Sequence, residues 1–267
     1  SASASASASH SSGAALRFPV VVDLALLVKV LGPPKFDPLS EPADRITRPG
    51  VAAGLVWTAY GGQVQFVECC QVAAGRGGAA AEGGAGGALA AEEASGIGEV
   101  SLRLTGQLGE VLQESAQIAL SWVRAHAAGL GLGGAAGGGG GAGKRELHIH
   151  FPSGAIPKDG PSAGVTLAVV IVSLLSGRRV RADTAMTGEL TLSGAVLPVG
   201  GVKEKLLAAH RVGIRNAIIP AKNLADAEYE LPAHVKGSLR VHACSTVEEV
   251  LEHALEGGVQ LSHAARL

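Results

Sequence analysis

The chain has 267 residues, with 22 Lys+Arg against 23 Asp+Glu and a net charge of −1. That balance leaves no basic footprint for nucleic acid or an anionic membrane, and 17% charged residues are too few for a charge-driven disordered chain. Hydrophobic residues reach 47%, enough for a sizeable core, 3% aromatics argue against a stacking platform for single strands, and the three cysteines (Cys69, Cys70, Cys244) make neither an even disulfide set nor a C-x-x-C zinc pair.

Residues 1–15 are a Ser/Ala repeat and predict a disordered tail. The chain opens without Met, as a fragment or processed piece would. Leu24, Leu27, Val28 and Leu31 recur at helical spacing, and Gly32-Pro33-Pro34 should end that helix. Residues 38–49 read as a polar, Pro-punctuated linker. Apolar runs over 51–60 and 63–72 flank Gly61-Gly62 and predict a β-hairpin. The Gly/Ala-rich runs 73–96 and 128–143 lack large side chains to bury and read as surface insertions. Between them, 98–105 alternates Val100, Leu102 and Leu104 with polar residues, a half-buried strand. A helix follows over 110–127, with Val111, Ser115, Ile118 and Trp122 on one stripe.

Leu147, Ile149 and Phe151 alternate with Glu146, His148 and His150, another strand. Residues 162–175 are apolar nearly all round and predict a buried helix, with Pro161 at its start and Gly177 past its end. The longest apolar stretch, 164–175, falls short of the ~20 residues a bilayer requires. Short strands over 184–190 and 191–199 surround a Gly-containing turn. A helix over 202–211, strands over 216–219 and 240–243, and a helix over 246–255 complete the chain. Strands and helices without regular βαβ alternation predict an α+β fold.

One nucleotide motif is discarded. Gly138 to Lys144 matches G-x-x-x-x-G-K, but Arg145 follows where Ser or Thr would hold Mg²⁺, and a strand follows in place of a helix. The segment Pro157 to Gly164 is different, since it links a strand to a buried helix. Ser162 falls in the first turn, where unpaired backbone amides and the helix dipole could stabilise an oxyanion beside its hydroxyl. On this segment alone, capping by Asp159 or Ser162 explains the residues better. A serine nucleophile needs a base. His148 and His150 share a strand face without a third metal ligand nearby and read better as surface or core residues than as a metal pair. Lys203 and Lys205 lie about 200° apart on their helix, and spacing does not choose between them.

Three blocks settle the family resemblance. They are Lys158-Asp159-Gly160-Pro161-Ser162-Ala163-Gly164, Ala185-Met186-Thr187-Gly188-Glu189, and the run from Leu197-Pro198-Val199-Gly200-Gly201-Val202-Lys203-Glu204-Lys205 to Arg211. Together with Gly54-Leu55-Val56-Trp57-Thr58, Thr105 to Val111 and Gln113-Glu114-Ser115, they resemble the proteolytic domain of Lon proteases over about 51–255. The resemblance implies the Lon proteolytic-domain fold, with mixed β-sheets, hairpins and packed helices. It implies a Ser–Lys dyad in which Ser162 is the nucleophile and Lys205, not Lys203, the general base. Thr187 matches a supporting threonine, and Asp159, His150 and Glu114 match polar residues near the site. The two Gly/Ala-rich insertions depart from the family pattern. By the same resemblance, 16–50 is the end of an ATPase module with its linker, 51–257 the proteolytic domain and 258–267 a C-terminal tail.

The resemblance also implies partners. The substrates would be unfolded or damaged proteins, and the longer protein would be a homo-hexamer. No cofactor is expected in this chain, while ATP and Mg²⁺ would serve the missing ATPase module. Neither nucleic acid nor membrane is an expected partner. Ala265-Arg266-Leu267 is similar to the S-K-L peroxisomal address. Lys29 to Pro34, Gly61 to Glu68 and His148 to Pro152 look most like the plant-type peroxisomal branch. The expected setting is the peroxisomal matrix, with the import receptor as partner. The alternative function is a non-hydrolytic, chaperone-like or assembly module of the same fold.

Overall fold

The computed structural model describes residues 21–33, 41–59, 61–72, 97, 100–132, 145–152 and 157–258. The expected tail over 1–15, all of the Gly/Ala-rich run 73–96 and most of the run 128–143, the discarded Gly138–Lys144 motif and the terminal tripeptide lie outside them. The chain divides into two compact units, 1–37 and 38–267. In the first, helix α1 (Leu24–Leu31) starts where the Asp23 carboxylate accepts from the Leu26 amide at 2.7 Å. It stops at Gly32, whose positive φ of 84° suits glycine.

The second unit opens with α2 (Glu41–Arg45), so the expected linker over 38–49 contains a helical turn. The reason is burial: Ile46, at its end, belongs to the hydrophobic core. Strands β1 (Val51–Thr58) and β2 (Gly61–Val72) form the expected antiparallel hairpin. Gly61 and Gly62 are strand residues of β2, paired with Thr58 and Trp57, and not the turn itself. Strand β3 (Val100–Thr105) keeps its outward-facing Ser101, Arg103 and Thr105 exposed. Helix α3 (Glu110–Ala125) follows, with Ser115 and Trp122 of the expected stripe buried and Ile118 partly so. Val111 is exposed, and Leu112, Ala116, Ala119 and Val123 join the buried face, where α3 packs on α4. Past it, Leu130 and Leu132 are buried, so the second Gly/Ala-rich run begins inside the core.

Strand β4 (Arg145–His150) buries Leu147 and Ile149 as its alternation required. A 3₁₀ turn, Pro161–Ala163, leads into α4 (Gly164–Ser176), which is buried almost all round and ends at Gly177 in the left-handed conformation. The run over 184–190 divides. Strand β5 (Thr184–Met186) joins the main sheet, whereas β6 (Glu189–Leu190) pairs with β7 (Val196–Leu197). Helix α5 (Val202–Arg211) and strand β8 (Asn216–Pro220) come next. Two short helices that the periodicity did not show, α6 (Leu224–Glu230) and α7 (Ala233–Lys236), precede β9 (Arg240–Cys244). Helix α8 (Val247–Ala254) starts with a capping box between Thr246 and Glu249.

The main sheet has the order β3-β4-β2-β1-β5-β8-β9. Pairs β1–β2 and β2–β4 are antiparallel, and the other neighbours run parallel. Both faces of its centre are covered. Gly54 and Trp57 lie an odd number of residues apart on β1 and so face opposite sides. Gly54 faces Thr166 of α4, and Trp57 faces Gly201 at the start of α5. Hence Val51 to Leu55 are all buried. Mixed strands with helices on both faces agree with the expected α+β, Lon-type fold.

Candidate active site

Two chain connections converge at the C-terminal end of β5. Beyond Met186, the Thr187 amide still donates to Ile218 on β8, at 3.0 Å. The Gly188 amide then donates to the Ser162 carbonyl at 2.9 Å, and the Val165 amide to the Gly188 carbonyl at 3.2 Å. These bonds fasten the turn carrying Ser162 to the end of the sheet. Thr187 is fully buried, and its hydroxyl donates to the same Ser162 carbonyl at 3.2 Å.

Lys205 reaches this point from α5. Val202, Lys205, Leu206 and Ala209 form the buried stripe of that helix, whereas Lys203 is half-buried off it. The helix can come this close only because Gly62 has no side chain. A Cβ there would stand 1.9 Å from the Glu204 carbonyl oxygen and 2.8 Å from the Lys205 backbone nitrogen. The Lys205 amine donates to the Thr187 hydroxyl at 3.1 Å. It makes no hydrogen bond to Ser162, so the two residues are joined through Thr187. Lys205 is only 2% exposed. Burial penalises its ammonium form and lowers its pKa to about 8.

Ser162 itself is half-buried and opens on a cleft of about 600 Å³. Phe66, Leu112 and Phe151 give this cleft apolar walls, and Trp57, 59% exposed, stands at its side. Sequence reasoning had not placed Trp57 or Phe66 at the site. The signal available for Trp57 was its position beside the paired glycines of the hairpin. Lys158 also lines the cleft, donates to the Gly106 carbonyl at 3.3 Å, and has its pKa lowered by burial.

The supporting residues are placed less uniformly. Asp159 lines the cleft, but its carboxylate accepts from the Leu112 amide at 3.0 Å and from the Gly160 amide at 2.8 Å. It therefore caps α3, not the helix that follows it. Gly109 makes room for this, since a Cβ there would lie 2.3 Å from the Asp159 carboxyl carbon. His150 is exposed on β4, where the Thr105 hydroxyl bridges His148 Nε2 at 2.9 Å and His150 Nδ1 at 2.7 Å. Glu114 is exposed on α3 and lines a separate groove with Gln113 and Gln117. Neither lines the Ser162 cleft. Among the described residues, no group of three or more His, Cys, Asp or Glu converges on a point that could hold a metal ion. No described helix is long and apolar enough to cross a membrane.

The chain has known counterparts. The family model for the Lon protease (S16) C-terminal proteolytic domain matches residues 21–85 and 78–257. The chain is 51% identical over 249 residues to "Lon protease homolog 2, peroxisomal" of Oryza sativa subsp. indica, covering 93% of this chain and 25% of that protein. The protein of the same name from Arabidopsis thaliana is 51% identical over 251 residues, with the same coverage. The one from Bos taurus is 45% identical over 240 residues, covering 90% of this chain and 25% of its own. The chain thus spans about a quarter of the length of these relatives. A match that runs through both the sheet and the turn bearing Ser162 makes this chain a member of the Lon protease C-terminal proteolytic domain family.

Proposed function

We propose that the chain is a serine-type endopeptidase domain that cleaves unfolded polypeptides, with Ser162 as nucleophile and Lys205 as general base. The observation that carries this reading is the buried, carboxylate-free lysine hydrogen-bonded to the hydroxyl that also holds the Ser162 main chain. An ordinary lysine is protonated at neutral pH and cannot act as a base. With a pKa near 8, a useful fraction of Lys205 is neutral.

The hydrogen-bond directions support a lone pair free to act. Thr187 spends its single proton on the Ser162 carbonyl, so toward Lys205 it can only accept. One N–H of the neutral amine is held by Thr187, and the lone pair is left to face elsewhere. Rotation of the Ser162 side chain toward it closes the dyad. The Ser162 oxygen then attacks the substrate carbonyl carbon as its proton passes to the Lys205 nitrogen. Collapse of the tetrahedral adduct breaks the C–N bond, and Lys205 returns the proton to the departing amine. Water then attacks the ester and releases the acid. An extended substrate would lie in the apolar cleft beside Trp57 and Phe66.

The longer protein would drive unfolding with ATP and Mg²⁺ on a module outside this chain and would assemble as a hexamer. Peroxisomal placement, with entry by an import receptor, is supported by the names of the relatives and by Ala265-Arg266-Leu267. The test is digestion of unfolded casein together with labelling by a fluorophosphonate. Wild type should digest and label, whereas Ser162→Ala and Lys205→Ala should lose both activities by more than about a thousand-fold. Casein binding without cleavage or labelling by the wild type would turn the assignment toward the chaperone-like module.

A further inference from the structure

The parallel half of the sheet has two ends, and only one carries the dyad. At the other end stand the connections that feed β5, β8 and β9. They hold Arg178, Arg179, Arg181, Arg215 and Lys236, Arg240 opens β9, and Asp183 lies among them, while Asp226, Glu228 and Glu230 of the connection into β9 sit on α6. This concentration contrasts with a net charge of −1 for the whole chain. Backbone bonds set part of it in a row. The Arg215 amide donates to the Asp183 carbonyl at 3.0 Å, and the Arg240 amide to the Arg215 carbonyl at 2.8 Å. The row crosses three adjacent strands, which are spaced about 4.8 Å apart.

Several of these cations are already engaged. Arg179 pairs with Glu256, Arg178 donates to the Gly258 carbonyl, and Lys236 to the Glu228 carbonyl. Arg181, Arg215 and Arg240 are exposed and make no side-chain hydrogen bond or ion pair among the described residues. Asp183 keeps its negative charge in this cavity but forms no ion pair with them, and its carboxylate accepts from Asn216 Nδ2 at 3.0 Å and from the Thr184 hydroxyl at 3.3 Å. Arg215 and Arg240 share an open cavity of about 500 Å³ with Asn216, Ser238 and the Gly237 backbone. Arginine suits this place, because its planar fork binds carboxylates bidentately.

We infer that this end of the sheet is a docking surface, separate from the active site, for an acidic polypeptide segment lying across the strand ends. Its carboxylates would engage Arg215 and Arg240, with Arg181 as a further cation. A polyphosphate or nucleic acid fits less well. Its dense, evenly spaced charge would meet the Asp183 carboxylate inside the cavity. A peptide can place its side chains on either side of Asp183, and it feels mainly charges within about one Debye length, ~8–10 Å. Strand β5 spans only three residues, roughly 10 Å, between Asp183 at this surface and Thr187 at the dyad. A segment held here would keep its own polypeptide near the cleft.

The inference is independent of the hydrolytic reading, because binding is measured without turnover. A fluorescein-labelled peptide of alternating Glu and Gly is titrated by anisotropy into the full chain, alongside a Lys/Gly peptide of equal length and inorganic polyphosphate as competitor. The acidic peptide should bind with salt-sensitive affinity and the basic one should not. The double variant Arg215→Glu/Arg240→Glu should weaken binding at least about ten-fold, whereas Arg215→Lys/Arg240→Lys should retain part of it. Arg181→Glu, assayed separately, guards against a folding defect in the double variant, and circular dichroism checks each variant. Cleavage of an uncharged peptide should not change in any of them. Equal binding of both peptides, indifference to the charge reversals, or binding of polyphosphate but not the acidic peptide overturns the proposal.

Discussion

Lys205 is buried with a hydroxyl as its partner and no carboxylate, and its pKa falls from 10.5 to about 8 because water is excluded from its ammonium. Two predictions follow from that one environment. Peptide hydrolysis should rise with pH and reach half its maximum near pH 8, since only the neutral amine can accept the Ser162 proton. A profile that stays flat from pH 6 to 10 would show that Lys205 is not the base. Stability moves in the same direction. Between about pH 8 and 10.5 the unfolded chain binds a proton that the folded chain has lost, so unfolding becomes harder as pH rises through that window. Below pH 8 the whole desolvation penalty, up to about 3 kcal/mol, weighs against folding. Lys205→Met should therefore be inactive yet more stable than wild type at pH 7, with the gap narrowing by pH 10. Urea unfolding at both pH values measures it. Asp159 offers a contrasting case. Its carboxylate satisfies the Leu112 amide from another part of the chain. Asp159→Ala should cost about 1 kcal/mol of stability, and Asp159→Asn much less. Equal unfolding midpoints for Asp159→Ala and wild type would remove the capping role.

Elements meet at this site through small residues. Gly62 and the start of α5 are in backbone contact, so the hairpin sets the height at which Lys205 enters the core. Gly62→Ala should push α5 away from the hairpin, at a cost of about 1–3 kcal/mol. Its effect should fall on kcat more than on KM, because the cleft walls on β2 stay in place while the amine moves off Thr187. A larger change in KM than in kcat would contradict that account. Most elements were legible in the sequence. The apolar alternation in β3 and β4, the apolar α4 with its terminal glycine, and the helix expected over 246–255 all appear where their local chemistry put them. The pattern on α5 was legible too, but was left open. Val202, Leu206 and Ala209 stand at positions i, i+4 and i+7, and Lys205 at i+3 completes their stripe. A charged residue on an apolar stripe was the signal that set it apart from Lys203. Helices α6 and α7 escaped because they are too short to show a period.

At the scale of the molecule, α4 is the axle of the second unit. It packs against α3, α8 and the central strands β1 and β2, and Val165 to Val172 are buried on every side. Ile171→Ala should therefore cost about 2–5 kcal/mol and lower the unfolding midpoint as one cooperative transition. A loss confined to activity, with the midpoint unmoved, would mean that the helix is not so enclosed. Ser162 sits at the head of this axle, Thr187 at the end of β5, and Lys205 inside α5. These are three elements brought together by parallel pairings between strands far apart in sequence.

Composition, periodicity and turn chemistry were enough to define an α+β domain, locate its buried helix and set Ser162 at its entrance, because those properties are local; the structure places Ser162 in the 3₁₀ turn before α4 and not in the first turn of that helix. The motif blocks added the family and the proposal that Ser162 acts with Lys205. Only the tertiary structure decided that Thr187 bonds to both residues, that Asp159 caps α3 and not α4, that neither His150 nor Glu114 lines the cleft, and that three arginines with no side-chain partner among the described residues share the opposite end of the sheet. Each of those outcomes depends on which strands lie side by side. Strand order is set by long-range packing and hydrogen bonding, which no stretch of neighbouring residues encodes.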